Sequence, residues 1–509
     1  MRVAIIGAGP AGLFTGAGLA RRGHEVIAVE RDPGPAADGN WPRRGVMQFH
    51  HAHGFRFQVE HALAQELPDA LQRWLAAGAE PFRLRLPDGS EIPMGMRSRR
   101  QTFERALRDS ALNVPGLQLR QGHAEAATDQ RGRSFGPGMD DVTDRRGRGS
   151  GPGVDGVTDR RGRGSGPGVD GVTGRRGRGS GLGVDGVTGR RGRAAGLLVD
   201  GVELEADLVI DASGRAGRAT RSLRPAPASG GPCGIAYVDR QYQLRPGAEP
   251  GPLLNPLAWQ ADLDGYQTIV FMQERGVFSV LLARPANDPV LAQLRHQVAF
   301  EAAARAIPGL ADWIDPARAL PITSVLPGGP LLNAYRGQTG FDGRLALPGL
   351  VFVGDAVATT TPTFGRGVAI TLLQAQQLLR LIDEHGTDVE AIGESFDGWC
   401  AEQIKPWVED HVHMDEATRR RWAGQDVDLS QPLSSDLILA AAETDPAMRP
   451  AIGGYLSMTA LPSSLRVLEP GARALYATGW RPRVAPGPTR DELAGIIQAA
   501  LRTSPSAAA

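Results

Sequence analysis

The chain has 509 residues, with 56 basic against 56 acidic side chains, 41% hydrophobic residues and two cysteines. Zero net charge offers no field for gathering nucleic acid or an anionic membrane, and no apolar run reaches the roughly 18 residues of a membrane span. Cys233 and Cys400 are too few for a disulfide framework, which points to a reducing cytoplasm.

Arg2–Ile6 reads as a short β-branched strand, Pro10–Arg22 as a helix of small residues closed by Gly23, and His24–Glu30 as a second strand. One βαβ opening of this kind implies a parallel sheet. The apolar start resembles a secretory signal, but glycines 7, 9 and 12 fit a strand-to-helix turn better, so secretion is not expected. Phe55–Ala77 has helical spacing, Gln101–Leu112 is a further helix, and a strand follows near Leu117–Arg120.

From Asp129 to Glu203 a 15-residue unit runs five times, as in Asp144–Thr158, rich in glycine and arginine. The units lack the alternation that buries surface, except the last, where Leu197-Leu198-Val199 and Val202-Glu203-Leu204 flank Asp200-Gly201. That is a hairpin signal. The last copy is therefore expected to be structural and the earlier ones a flexible, looped-out insertion. Arginine and glycine together suggest RNA binding, but interleaved aspartates cancel much of the charge, so no nucleic acid is expected.

Ala206–Ile210 is a buried-strand signal leading into Asp211-Ala-Ser-Gly-Arg215. From about Pro232 to Pro321 the strands alternate (Cys233–Asp239, Gln267–Gln273, Gly276–Ala283), which suggests an antiparallel sheet with a helix at Val298–Ala306. Leu350–Val353 returns to a core strand and Gly367–His385 is a long amphipathic helix. Gly393–Val412, Leu433–Glu443 and Arg490–Leu501 then form a helical appendage.

The strongest chemical signal is Gly7-Ala-Gly9-Pro10-Ala11-Gly12 directly after a strand, with Glu30 closing the next strand. Gly7 permits the tight turn, Gly9 lets backbone approach a pyrophosphate, and Gly12 lets helix and strand pack closely. The helix start presents free N–H groups to phosphates, and Glu30 is placed to accept from a ribose diol, so the ligand is FAD or NAD. The second signal is Gly354-Asp355 at a strand end, then Pro362-Thr-Phe-Gly365-Arg-Gly367 at the start of the long helix. An acid there can hold ribityl hydroxyls. The helix start through Val368 can face a planar ring edge and stabilise its negative charge. The pair of signals selects FAD.

In this order the motifs resemble the FAD-dependent monooxygenase superfamily with the p-hydroxybenzoate hydroxylase fold, over most of residues 1–390 outside the repeat. Arg43-Arg44-Gly-Val-Met-Gln48 followed by His51-Ala-His53 resembles an actinobacterial branch of polyether epoxidases, related to styrene monooxygenases. The resemblance implies an α/β architecture: a doubly wound, Rossmann-like FAD domain, an inserted antiparallel β-rich substrate domain and a helical C-terminal extension. The FAD domain is expected over residues 1–75, 98–128, 189–228 and 325–392. The substrate domain takes 76–97 and 229–324, the repeat insertion 129–188 and the extension 393–509.

The resemblance also implies that Arg44, Gln48 and Arg100 touch FAD, that Asp355 holds the ribityl chain, and that Pro362, Gly365 and Gly367 stand beside the isoalloxazine as the catalytic positions. Arg31, Ala124 and Asp211 complete the expected cofactor contacts, with Gly354 at the turn. The implied activity is hydroxylation or epoxidation of a hydrophobic small molecule by O₂ through a flavin C4a-hydroperoxide. Electrons come from NAD(P)H, directly or through a flavin reductase. Asp211-Ala-Ser-Gly214 replaces the Asp-Gly pair usual in single-component hydroxylases, which leaves a separate reductase open. Three alternatives stand: a reductase or oxidase, a halogenase, and a non-enzymatic binding protein using the Arg–Gly repeat. Against the halogenase, its tryptophan-rich motif is absent, and the sole lysine, Lys405, lies beyond the flavin motifs on an expected surface helix.

The remaining residues have bland readings. His50, His51 and His53 invite a metal, but no cysteine or acid stands near them in sequence, so no metal is expected. Arg366 reads as a solvent-facing residue at a helix start, and Trp41 and Trp259 as core or cleft wall. No nucleophile stands beside a base.

Overall fold

A computed structural model describes residues 1–43, 45–85, 89–137, 192–253, 258–340, 342–445 and 448–503. Its centre is a five-stranded parallel sheet, in the order Leu350–Phe352, Leu208–Asp211, Arg2–Ile6, Glu25–Glu30, Leu117–Gln121. Leu350–Phe352, Leu208–Asp211 and all but the first residue of Arg2–Ile6 are buried, as in a parallel sheet covered on both faces, while the edge strand Leu117–Gln121 is polar. The helix Pro10–Arg21 packs against the long helix Gly367–His385 and against Arg100–Ala111. A four-stranded antiparallel sheet, ordered Val202–Glu205, Ala194–Val199, Ala124–Asp129, Ser134–Phe135, packs against Leu208–Asp211.

The hairpin at Asp200-Gly201 forms as expected, with both residues at positive φ (49° and 75°), the two-residue turn that suits twisted strands. The first repeat copy departs from the expectation. Its Asp129 carboxylate accepts from the backbone of Arg131 and Arg133 and from the Arg133 side chain. The turn thus formed leads into Ser134–Phe135, which joins the same sheet. The described residues of the first copy, 129–137, are therefore structural, as are those of the last. Residues 138–191 lie outside the described ones.

The second body is an antiparallel sheet running Ala258–Leu263, Tyr266–Met272, Val277–Pro285, Ile235–Leu244, with Ala319–Pro321 and Leu326–Gly328 both paired to Ile235–Leu244. One face is covered by Gln297–Ala306 and Pro308–Trp313, and by the C-terminal helix Arg490–Thr503 through Leu493 and Ile497. Alternate residues on the other face, among them Ile269, Phe271, Leu281 and Ala283, look into a cavity.

Two expected helices are broken by proline. Phe55–Ala77 contains helices Phe57–Glu66 and Pro68–Ala76, separated at Leu67, which the following proline ring pushes out of helical conformation (φ −140°, ψ 64°). Gly393–Val412 is likewise two helices, Val389–Gln403 and Lys405–Trp422, because Pro406 can begin a helix but not continue one. Ser435–Thr444, Arg449–Leu456 and Glu469–Ala477 follow, and their Leu437, Tyr455 and Tyr476 join the main core. The C-terminal region is thus packed on both bodies and is no appendage. Among the described residues, no helix is long and apolar enough to cross a membrane.

Candidate flavin site

A cavity of about 1900 Å³ runs between the parallel sheet, the antiparallel sheet and the C-terminal helices. One end is made by the first turn. Gly7 sits at φ +95°, and a Cβ there would lie 2.9 Å from the Ala212 carbonyl oxygen. A Cβ on Gly12 would lie 1.9 Å from the Gly7 carbonyl oxygen, so strand and helix approach closely only because both are glycine. At Gly9 an added Cβ meets nothing within 4 Å, so there is room above the helix start. That start carries no side-chain cap, which leaves the cavity-lining Ala11 N–H group to a ligand.

Gly7, Gly9, Pro10, Ala11, Glu30, Arg31 and Ala124 all line this end. Glu30 accepts from the backbone N–H of Ala8 (2.8 Å) and of Asp32 (2.9 Å). It stands 3.6 Å from Arg43, which pairs with the buried Glu104. Glu104 in turn accepts from Arg100 Nε at 2.6 Å, so the cavity-lining Arg100 is held in place from behind. Trp41 is buried and clamped and does not line the cavity: its Nε1 donates to Asp32, and the Arg43 guanidinium lies 5.0 Å above its ring. Trp259 is half-buried against the cluster on the far face of the antiparallel sheet.

Three of the expected contacts do not reach the cavity: Gly12, Gly354 and Asp211. Gly12 acts through packing, and Gly354 (φ +71°) is the turn that lets the next residue face the cavity. Asp211 is a correction to its expected place. Its carboxylate is fully buried and accepts from Ser213, Thr220 and Arg224, so it organises the loop that carries Ser213–Arg215 past the cavity. Arg44 lies outside the described residues.

At the other end Asp355, Gln48, Pro362, Gly365, Gly367 and Val368 come together. The Asp355 carboxylate makes no hydrogen bond or ion pair within the described residues. It sits deep in the molecule yet opens on the cavity, and that depth raises its pKa. The helix Gly367–His385 has no side-chain cap either. A long cavity with two uncapped helix starts, space above Gly9 and an unpartnered carboxylate between them fits FAD, whose phosphates need donors and whose ribityl chain needs an acceptor.

Arg366 overturns its expected solvent-facing place. It is 1% exposed, pairs with Asp410 at 2.9 Å, and lies 4.6–5.0 Å from the rings of Phe364, Trp407 and Tyr455. Asp410 also accepts from Tyr455 and Ser435. The neighbouring Thr361 is held by Asn333, His411 and Asp415. Asp415 itself lines the cavity, and burial pushes its carboxyl up to about 6. The turn before the long helix is therefore fixed from the C-terminal helices.

The three histidines diverge. His51 Nδ1 stands 2.9 Å from the buried Asp239 carboxylate, and its ring meets Tyr237 edge-on. His53 lines the cavity, and burial, with the Arg100 charge, holds its pKa well below the ordinary value. His50 is displaced the same way by burial. Among the described residues, no three His, Cys, Asp or Glu side chains come together as a metal site. The roles of Arg56, Asp239, Arg366, Asp410 and Asp415 are not visible in sequence, because their partners lie up to 400 positions away.

The FAD dependent oxidoreductase (DAO) family matches residues 2–134, the stretch holding the first turn. Those residues form an FAD-dependent oxidoreductase domain. Among solved structures the chain is similar to a flavin-dependent brominase at 14% identity, covering 94% of this chain and 100% of that one, with a TM-score of 0.57. It is similar to CtdE in complex with FAD at 14% identity, covering 83% and 98%, TM-score 0.51. A probable FAD-dependent monooxygenase from Pseudomonas aeruginosa, PqsL, gives the same four values. At these identities the likeness is one of fold, the α/β arrangement described above. No curated protein matches the sequence.

Proposed function

We propose that the protein is an FAD-dependent monooxygenase that places one oxygen atom of O₂ into an apolar small molecule, by hydroxylation or epoxidation. The observation that carries this reading is the shared cavity: both flavin-type turns open on the same space as the apolar face of the antiparallel sheet. FAD, when bound, supplies the two-electron chemistry and the reaction with O₂.

The chain supplies the rest. The Ala11 N–H group and the helix dipole behind it bind the phosphates. Asp355 accepts from the ribityl hydroxyls, and Arg100 and Gln48 border the same space. The N–H groups of Gly367 and Val368, uncapped at a helix start, stabilise negative charge on the ring edge beside them. Pro362 and Gly365 shape the turn under it. Tyr237, Ile269, Phe271 and Leu281 on the sheet, with Met414 and Leu437 from the C-terminal helices, exclude water from the reacting end. Epoxidation has its support in the segment from Arg43 to His53, where Gln48 and His53 do line the cavity.

Halogenation on this fold needs a lysine beside the reacting end. The chain's one lysine, Lys405, is 38% exposed and pairs with Glu409 instead, outside the cavity lining. The test is oxygen uptake with NAD(P)H, with and without an added flavin reductase, followed by labelled O₂. Label in the product supports the reading; flavin turnover with no label in any product favours a reductase or oxidase.

A further inference from the structure

One lobe of the cavity contains a cation that nothing in the proposed reaction uses. Arg56 stands on the short strand Phe55–Arg56, opposite Gly95, with Phe82 on the other side of that glycine. Its Nε donates to the Phe364 carbonyl at 2.8 Å and its Nη1 to the Leu456 carbonyl at 3.1 Å. No carboxylate pairs with it among the described residues, and Nη2 makes no hydrogen bond, while the side chain lines the cavity. Phe82, Met94, Phe364, Ile452 and Leu456 form the apolar surroundings.

A guanidinium fixed by two carbonyls is aimed, because its fork cannot rotate away. It is also uncompensated. Burial, and then the nearby Arg366 charge, pull its pKa down to about 10. Asp410, the acid beside that Arg366, is already taken by Arg366, Tyr455 and Ser435. By contrast Arg83, in the same lobe, has its own partner in Glu60 at 3.0 Å. A half-buried, oriented cation without a counter-charge favours an anion that arrives with the ligand. Apolar walls around it select a ligand whose remainder is hydrocarbon.

We propose that Arg56 is the substrate anchor of this cavity and that the substrate is an apolar small molecule bearing a carboxylate. This rests on reading the cavity as a substrate site, but not on oxygen transfer. The ligand carboxylate meets the free Nη2 edge of Arg56, and the chain behind it extends along the apolar lining.

The test uses the full-length, FAD-loaded protein and calorimetric titration with decanoate, decanol and decylamine. Decanoate is expected to bind the wild type about tenfold or more tightly than decanol, and decylamine more weakly than either. Arg56→Met should bring decanoate to within about twofold of decanol, whereas Arg83→Met, the same charge loss in the same lobe, should keep the preference. Equal binding of decanoate and decanol to the wild type overturns the proposal without any variant, so a misfolded Arg56→Met does not shield it. A carboxylate preference that survives in folded Arg56→Met overturns it too, as does displacement of decanoate by equimolar chloride or acetate. Because the readout is equilibrium binding, a protein that takes decanoate through Arg56 but transfers no oxygen would fail the monooxygenase reading alone.

Discussion

The two helix starts that face the cavity do the same electrostatic work by different means. At Pro10 the donors are exposed by local geometry alone: Gly7 and Gly12 let strand and helix close on each other, and only Glu30 and Ala212 are borrowed from elsewhere. At Gly367 the turn is held from outside. Arg366 is locked to Asp410, and Thr361 to Asn333, His411 and Asp415, all but Asn333 on C-terminal helices. The first start is a property of some six consecutive residues, and the second is a property of the tertiary fold.

That difference can be broken from either side. The largest effect is expected at the first start: Gly12→Val puts side-chain atoms against the Gly7 carbonyl, an overpacking cost at or above about 3 kcal/mol. FAD titration should show no uptake, with the fold lost or loosened in circular dichroism. At the second start, Asp410→Asn leaves the Arg366 guanidinium buried without a counter-charge, which costs about 3 kcal/mol in denaturant unfolding. If Asp410→Asn were neutral, the second start would be as local as the first.

Asp415 sharpens the comparison through pH. Its carboxyl is raised to about 6 by burial, so the ionised group works against the fold. The unfolded carboxyl titrates near ~4. The penalty is therefore absent below ~4, grows as pH rises toward 6, and is complete above it, at about 2–3 kcal/mol. Asp415→Asn should match the wild type near pH 4 and exceed its unfolding free energy by that amount at pH 8. A gap that does not change with pH would contradict the assignment.

Smaller effects remain. Asp355→Ala removes the unpartnered acceptor between the two starts and should weaken FAD binding about tenfold, with little change in unfolding free energy. Lys405→Met removes one exposed ion pair and should alter stability by no more than about 0.5 kcal/mol, with turnover unchanged. Abolished product formation in Lys405→Met would revive halogenation.

Legibility in the sequence followed the same division. Strand, glycine turn, helix and second strand were readable from Arg2 to Glu30 because each rests on neighbours in sequence, and the Asp200-Gly201 hairpin was readable for the same reason. Arg366 was misplaced at the surface because a helix start normally faces water. Nothing near it in sequence announces Asp410, Trp407 and Tyr455. The resemblance gives Asp211 to the ligand, yet Thr220 and Arg224 consume its carboxylate. The C-terminal helices were legible as helices but not as a wall of the cavity, because amphipathic spacing shows that a face is buried and not what it is buried against.

The central claim is that the two helix starts grip one FAD between them. Titrating the purified, flavin-free chain with FAD and following flavin fluorescence tests it most directly. The account predicts saturable quenching at one equivalent, weakened by Asp355→Ala and abolished by Gly12→Val. Flavin fluorescence that stays at its free-solution level across the titration, with the wild-type chain folded, would contradict it.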